Sequence, residues 1–343
     1  MKNKLKILVL AGGDSEEREV SLASAKAITE SLIRLGYNTA VIDSATGQSL
    51  LDGKGRYLLH EDSQSTSKIA LKQTSSMALS KSLNSSDYKD SDLVFLALHG
   101  GTGENGTIQA LLDLAGLKYT GSGRLASAAA MNKAFAKRIL KNENIPTPDW
   151  ISINLKSIED IEKHLKSVRN KFKYPFIVKP NNSGSTIGLS LVKNSDELKP
   201  AMKKAYDVSK EILVEQYIKG REITGAVLNG QALPLIEIIP TNECYDYQCK
   251  YTKGKSQYVC PAKIPENTTR KIQKLAVRAY TILGCSSMAR VDFILDDKNH
   301  PYFLEVNTLP GMTDISLAPM AAKASGLSFD DLIESICNAA MDK

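Results

Sequence analysis

At 343 residues, with 42% hydrophobic and 24% charged residues, the chain is too long for one ordinary core and has the composition of a globular enzyme, so two or three domains are expected. The net charge of +6 is mild and spread out, with no basic block interleaved with aromatics, which argues against a nucleic-acid partner. No apolar run approaches a membrane span, and the five cysteines lack CxxC spacing, so free thiols in a reducing cytoplasm are expected and no membrane partner is.

Leu5–Ala11 is a continuous apolar run ending in GGDSEE, which reads as a buried strand and a glycine turn. The basic start, Met1–Lys6, runs into that turn and not into a signal-peptide cleavage site. A helix over 18–36 is expected next, capped near Ser15 and stopped at Gly36, and then a strand at 38–43. This order predicts a parallel sheet with a ligand at its C-terminal edge, where Glu16 and Glu17 lie. The stretch 61–90 holds nine serines and little periodicity and reads as a poorly specified connection with one short helix around 69–83. Asp92–Leu98 is the next buried strand; HGGTGENG and a helix over 107–115 follow it. Gly101, Gly103 and Gly106 match the dinucleotide fingerprint G-x-G-x-x-G, which also requires an acid at the end of the next strand. That strand is only Lys118–Thr120, followed by GSG, so the nicotinamide reading lacks its second half. His99, at the strand's edge, is placed to meet a substrate carboxylate.

A helix over 124–141 ends before NIPTPDW, whose two prolines mark a boundary. A helix over 157–170 leads into YPFIVKPNNSGSTIGLSLV. Here an apolar strand delivers Lys179, which needs an anionic partner if buried. The loop of Asn, Ser, Gly and Thr after it suits a flap whose N–H groups and hydroxyls close over phosphates, and no P-loop motif occurs. Residues 212–220 form a strand, and 221–228 and 231–239 a hairpin over Asn229-Gly230. Glu215 and Glu222 are either exposed strand acids or partners for an adenine edge and ribose hydroxyls. The loop 240–265, rich in Tyr and Lys, is a candidate lid carrying Lys250, Lys253 and Lys255. Cys244, Cys249 and Cys260 lie in it, without the His or second close pair that would complete a zinc site. A helix over 266–283 is expected to pack on the hairpin that follows.

That hairpin joins ARVDFILD to PYFLEVN. With a two-residue loop at Lys298-Asn299, Phe293 faces Leu304, Asp292 faces Glu305 and Arg290 faces Asn307. Two opposed carboxylates repel on a bare sheet, so a cation is expected between them. Asp292, Glu305 and the Asn307 amide are all oxygen donors and suit Mg²⁺, which keeps some water and binds phosphate. Arg290 adds a donor fork for an oxyanion. Two amphipathic helices, 316–324 and 328–338, close the chain.

The blocks LAGGDSEEREVS, LHGGTGENGTIQALLDLAGLKYTGSG, MNK, YPFIVKPNNSGSTIG, RVDF and EVNTLPGMTDISLAPMAA resemble, in order, the signature motifs of D-alanine–D-alanine ligases, members of the ATP-grasp superfamily. The resemblance runs from about residue 5 to 340, with 61–90 as its main gap. It implies an α/β (α+β) chain with a three-domain ATP-grasp architecture: a doubly wound parallel-sheet domain at 1–122, a central domain with the phosphate flap at 123–218, and a C-terminal domain with the metal site and lid at 219–343. The implied reaction joins two D-alanine molecules through an acyl phosphate at the expense of ATP, for peptidoglycan precursors. The implied setting is a cytoplasmic homodimer using two Mg²⁺ or Mn²⁺ ions. D-alanine–D-lactate ligation, D-alanine–D-serine ligation and other ATP-grasp carboxylate–amine ligations are the alternatives.

By the same resemblance, Asp292, Glu305 and Asn307 hold metal. Lys133, Lys179 and Lys250 contact phosphates, and Ser185 and Thr186 lie in the flap. Glu215, Gln216, Ile218 and Glu222 line the adenine and ribose pocket. Arg290 and the Gly311 amide stabilise the oxyanion. Glu17 holds the first D-alanine's ammonium, with His99 near its carboxylate, and Ser316 and the Leu317 amide take the second carboxylate. Tyr251 matches the lid tyrosine linked to Glu17 through Ser185, which favours the dipeptide over the lactate product. Gln216 stands where relatives commonly have lysine, and the lid sequence YDYQCKY departs from their acidic version.

Overall fold

The computed structural model describes residues 5–52, 56–58, 86–184, 186–240 and 256–342. Ser185, Cys244, Cys249, Lys250, Tyr251, Lys253, Lys255 and the helix expected near 69–83 lie outside the described residues.

Three sheets organise the described chain. The first is parallel, in the order β2-β1-β3, from β1 (Lys6–Ala11), β2 (Asn38–Asp43) and β3 (Leu93–Leu96). Both faces of β1 are covered, which is why it reads as an unbroken apolar run: Ile7 to Leu10 are fully buried. Helix α1 (Arg18–Arg34) follows, and Gly36 leaves it at φ 81°, as the sequence predicts. Only a single parallel bridge, Val94 to Tyr119, remains of the strand expected at 118–120. Helix α2 (Ser86–Lys89) precedes β3, and α3 (Gly101–Glu104) and α4 (Thr107–Leu114) follow it. The one-turn α3 was not expected; it is made from the residues of the glycine pattern.

The helix predicted over 124–141 is two helices, α5 (Arg124–Met131) and α6 (Lys133–Asn142). They part at Asn132, whose ψ is 95°. The cause is local polar competition with the helix. The Asn132 side chain caps α6 by accepting from the Phe135 N–H, and Asn181 donates to the same oxygen at 2.8 Å.

The second sheet is antiparallel, in the order β4-β7-β5-β6, from β4 (Trp150–Asn154), β5 (Phe176–Pro180), β6 (Ser190–Val192) and β7 (Glu211–Gln216). Helices α7 (Asp160–Lys171) and α8 (Ser195–Val208) share its core through Leu165, Val168, Leu198 and Met202. Sequence reading missed β4, which is short, and α8, whose pattern Pro200 interrupts.

The third sheet runs β11-β10-β8-β12-β13, with β9 beside β8. Its strands are β8 (Gly220–Leu228), β9 (Gln231–Ala232), β10 (Ile236–Pro240), β11 (Ser256–Val259), β12 (Met288–Asp296) and β13 (Pro301–Asn307). Asn229 and Gly230 take φ values of 49° and 78°, both positive as a type I′ hairpin turn requires. Helix α9 (Glu266–Ile282) packs on β12 and β13, as predicted, and also on β8. After it come α10 (Leu317–Ala324), and α11 (Phe329–Met341) with a Ser328/Asp331 capping box. The chain's last helix returns to its first. Leu332, Ile333 and Ile336 share a core with Ile28 and Leu32, and Arg34 and Ser31 bind Asp330 at 2.6 and 2.7 Å.

The β12–β13 register needs one correction. Arg290 faces Asn307 and Asp292 faces Glu305 as predicted, but Phe293 faces Phe303, not Leu304. The turn is a residue longer than expected: the Asp296 N–H bonds the His300 carbonyl, and Asn299 sits at φ 61°. A bulge after Asp292 absorbs the extra residue and restores the register at the carboxylates. The shift has a packing reason. Phe293 and Phe303 are fully buried and meet edge to face, with centroids 6.3 Å apart. Leu304 is released from that core and lines a cavity instead.

Candidate active site

Two cavities meet inside the molecule. The larger, about 380 Å³, lies between the two antiparallel sheets. Every described residue that the resemblance places around ATP lines it: Lys133, Lys179, Thr186, Glu215, Gln216, Ile218 and Glu222. The smaller, about 110 Å³, lies between the third sheet and the parallel sheet's C-terminal edge. Around it stand Glu17 and His99 from one side, and Arg290, Asp292, Asn307, Gly311, Ser316 and Leu317 from the other. Gly184, Glu222, Ile238 and Glu305 line both cavities, so the two join at Glu305.

The larger cavity is floored by buried charge. Glu215 is 3% exposed and stands between two ammonium groups, Lys137 Nζ at 2.6 Å and Lys179 Nζ at 3.2 Å. The contact to Lys137 is an ion pair whose angle falls short of a hydrogen bond. Burial pushes the Glu215 carboxyl up, but Lys137 and Lys179 outweigh it and hold it below the usual carboxylate range. Burial pulls the Lys137 amine down to about 8, against the pull of Glu215. The anionic partner expected for Lys179 is therefore Glu215. Lys133 reaches both ways: its ammonium donates to the Ser183 carbonyl at 2.7 Å and pairs with Glu305 at 2.9 Å. The break at Asn132 puts it there, because Asn181 binds the first turn of α6 through the Lys133 and Ala134 N–H groups.

In the smaller cavity the opposed acids are each met by a protein cation. Arg290 forks Asp292 with two bonds of 2.9 Å, and Thr224 donates to the same carboxylate at 2.5 Å. Glu305 holds Lys133. Among the described residues no three His, Cys, Asp or Glu side chains group closely enough to hold a metal alone. Two carboxylates and the Asn307 amide are an all-oxygen set too small for a closed cage. That fits Mg²⁺, which is bound by one or two carboxylates together with substrate phosphates.

Glu17 is nearly buried, and the flap backbone comes close to it: a Cβ at Gly184 would stand 2.9 Å from its Oε2. Both ring nitrogens of His99 contact protein groups, the Leu309 carbonyl at 2.8 Å and Ser24 Oγ at 3.1 Å. Glu104 is buried beside them, and burial, then Glu17, pushes its carboxyl up to about 7. Ser316 caps α10 without bonding into it; its Oγ accepts from the Thr313 N–H instead, and the Leu317 N–H opens the helix at the cavity.

Sequence reading missed Lys137, Asn181, Glu104 and Ser24. Lys137 had a signal, since it lies four residues after Lys133 and so on the same helix face. Glu104 was an acid inside a glycine loop. Nothing local marks Ser24 or Asn181, whose partners are 288 and 47 residues away.

A family model described as D-ala D-ala ligase N-terminus matches residues 6–122, and one described as D-ala D-ala ligase C-terminus matches residues 139–338. The D-alanine–D-alanine ligase of Pelotomaculum thermopropionicum is 40% identical, over 98% of this chain and 97% of its own. That of Syntrophotalea carbinolica is 41% identical, over 96% and 94%. Among solved structures, the Bacillus anthracis D-alanine–D-alanine ligase complexed with ATP superposes with a TM-score of 0.76 at 30% identity, covering 98% of both chains. The Coxiella burnetii ligase gives 0.76 at 30%, over 99% of this chain and 94% of its own. Two antiparallel sheets closing on one cavity, beside a parallel α/β sheet, make the architecture that of an ATP-grasp enzyme. Within that class, the chain belongs to the D-alanine–D-alanine ligase family.

Proposed function

We propose that this protein joins two D-alanine molecules into D-alanyl-D-alanine for peptidoglycan precursors, with ATP as the energy source. The meeting of the two cavities at Glu305 carries the reading, because it lets a phosphoryl donor in one reach a carboxylate in the other. ATP lies between the antiparallel sheets, its adenine end toward Glu215, Gln216, Ile218 and Glu222. Lys133, Lys179 and the lid Lys250 neutralise its phosphates, with Ser185 and Thr186 in the flap above. Glu17 holds the first D-alanine by its ammonium. The carboxylate of that molecule attacks the γ-phosphorus, ADP leaves, and an acyl phosphate forms. Ser316 and the Leu317 N–H hold the second carboxylate. The second amine attacks the acyl carbon and phosphate departs. Arg290 and the Gly311 N–H face the oxyanion that forms on the way, a donor role worth roughly 2.7–4 kcal/mol in acyl-transfer sites. Asp292, Glu305 and Asn307 would hold Mg²⁺ or Mn²⁺, two ions by resemblance, which when bound neutralises phosphate charge.

Tyr251, with Ser185 and Glu17, favours the dipeptide product over D-alanyl-D-lactate. The domain division at 1–122, 123–218 and 219–343 is kept, since each sheet falls within one range. A homodimer is part of the reading. Leu114 and Leu125, on α4 and α5, are 84% and 77% exposed and offer an apolar surface for a second copy; a monomer in sedimentation would remove it. A cytoplasmic setting agrees with free Cys260, Cys285 and Cys337 and with a need for ATP. Among the described residues no helix is long and apolar enough to cross a membrane.

Phosphate release is to be measured with ATP, Mg²⁺ and D-alanine, then with D-lactate or D-serine added, and the product identified by mass. Release with D-alanine alone and a dipeptide product is expected. No release, or a mixed product preferred, overturns the assignment.

Two predictions concern the nucleotide end. Asn132→Ala removes the cap of α6 and is expected to cost about 1 kcal/mol in a urea melt and to raise the KM for ATP. An unchanged KM would show that the helix break does not place Lys133. The second concerns pH. As pH rises through about 8, Lys137 loses its proton and Glu215 leans on Lys179 alone, drawing it from the phosphates. The KM for ATP should rise across that step, whereas Lys137→Met should start high and show no step. The same step in the variant would assign it to another group.

A further inference from the structure

Residues 308–316 belong to neither strand nor helix, yet they carry Gly311. What holds them comes from across the site. The Leu309 N–H donates to a Glu104 oxygen at 3.2 Å and to the Asn307 side-chain oxygen at 3.0 Å. The Leu309 carbonyl accepts from His99 Nδ1 at 2.8 Å. Three residues on, the Met312 N–H donates to Ser24 Oγ at 3.1 Å, and Ser24 Oγ is 3.1 Å from His99 Nε2.

These bonds are mutually consistent. A carbonyl only accepts, so the ring proton is on Nδ1 and Nε2 is the acceptor. Ser24 Oγ then receives the Met312 N–H and gives its own proton to Nε2. Burial favours this neutral ring by pulling the His99 pKa down. Glu104 is turned back to reach Leu309 because the Gly100 N–H binds its other oxygen at 2.8 Å. Gly100 takes φ 62°, and a Cβ there would stand 2.7 Å from Glu17 Oε2. Gly100, just ahead of the glycine pattern, thus helps to fold an acid onto a loop of the opposite lobe. Ser24, His99 and Glu104 are 0%, 5% and 7% exposed, so the contacts are made away from water.

The geometry points to Ser24, His99 and Glu104 as positioning residues, which lock the 309–312 backbone and aim the Gly311 N–H at the reacting acyl group. The claim rests on the ligase reading for what Gly311 does. It gives His99 a task other than contact with a substrate carboxylate, since both of its nitrogens are engaged. An oxyanion donor has to be held within about 0.5 Å, and a misplacement of about 1 Å costs on the order of 10²-fold in rate.

Three variants test this: Ser24→Ala, Glu104→Gln and His99→Gln. Steady-state kinetics would be read together with amide exchange of the peptide spanning 309–312. Ser24→Ala is expected to lower kcat between about 10- and 10²-fold, leave the KM for ATP and for the first D-alanine unchanged, and speed exchange at Met312. Glu104→Gln, which loses one accepting oxygen, should do the same at Leu309 and covers the case in which Ser24→Ala folds poorly. A His99 that binds substrate directly would show the opposite split: His99→Gln would raise the first D-alanine KM at constant kcat, and Ser24→Ala would be silent. That pattern, or unchanged exchange in both other variants, overturns the proposal. Absence of D-alanine-dependent phosphate release in the unaltered protein would end the ligase reading instead, while the exchange data would still decide whether the loop is held this way.

Discussion

Asp292→Asn is expected to lower D-alanine-dependent phosphate release by at least about 10²-fold and to raise the Mg²⁺ concentration needed for half-maximal rate. The amide keeps the shape and one oxygen, so Thr224 still has an acceptor and the strand still pairs as before. What it loses is a negative charge opposite Glu305 and the second oxygen for the Arg290 fork. The two losses are separable. If Asp292 mainly orients Arg290, the rate falls but the Mg²⁺ requirement stays. If it holds metal, excess Mg²⁺ restores part of the rate. Turnover and Mg²⁺ dependence both equal to those of the unaltered protein would mean that the acids on this hairpin do not bind metal.

Glu215→Gln is expected to cost about 3–5 kcal/mol of stability at neutral pH, measured by urea unfolding. The change is nearly isosteric, so packing is kept. It leaves two buried ammonium groups, Lys137 and Lys179, without the carboxylate between them. Uncompensated buried charge is costlier than the ion pair is favourable, which is why removing one member hurts more than replacing the group. The sign with pH follows from Lys137. In the variant the Lys137 amine has lost the carboxylate that raised its pKa, so it gives up its proton below the value of about 8 that it has beside Glu215. One of the two stranded charges is then gone, and the penalty should shrink as pH rises. Adding Lys137→Met to Glu215→Gln should recover part of the loss already at neutral pH. A loss below about 1 kcal/mol in the single variant would show that Glu215 is not what balances the lysines.

Much of this was legible in the chain because it is written in short range. The apolar run of β1, the Asn-Gly turn after β8 and the apposition of Asp292 and Glu305 each follow from local periodicity or turn chemistry. Even so, the last came out right through two compensating departures, a longer turn and a bulge, because the burial of Phe293 against Phe303 governs the strand ends. Helix α8 was hidden by Pro200, and the break at Asn132 by a sequence that otherwise favours one long helix. Asn181, the residue that enforces that break, is far along the chain and belongs to another sheet's loop.

By itself, then, the sequence determined the type of most long elements, the motif order that places the chain in its family, and the residues proposed here for phosphate and divalent charge. These depend on spacing within a strand, a helix or a turn. Only the tertiary structure decided which charges meet: that Lys137 joins Lys179 on Glu215, that Lys133 spans to Glu305, and that Ser24, His99 and Glu104 hold Leu309 and Met312. Such contacts join residues up to 288 positions apart. Their energies come from burial and from bond geometry, and neither exists until the sheets have packed.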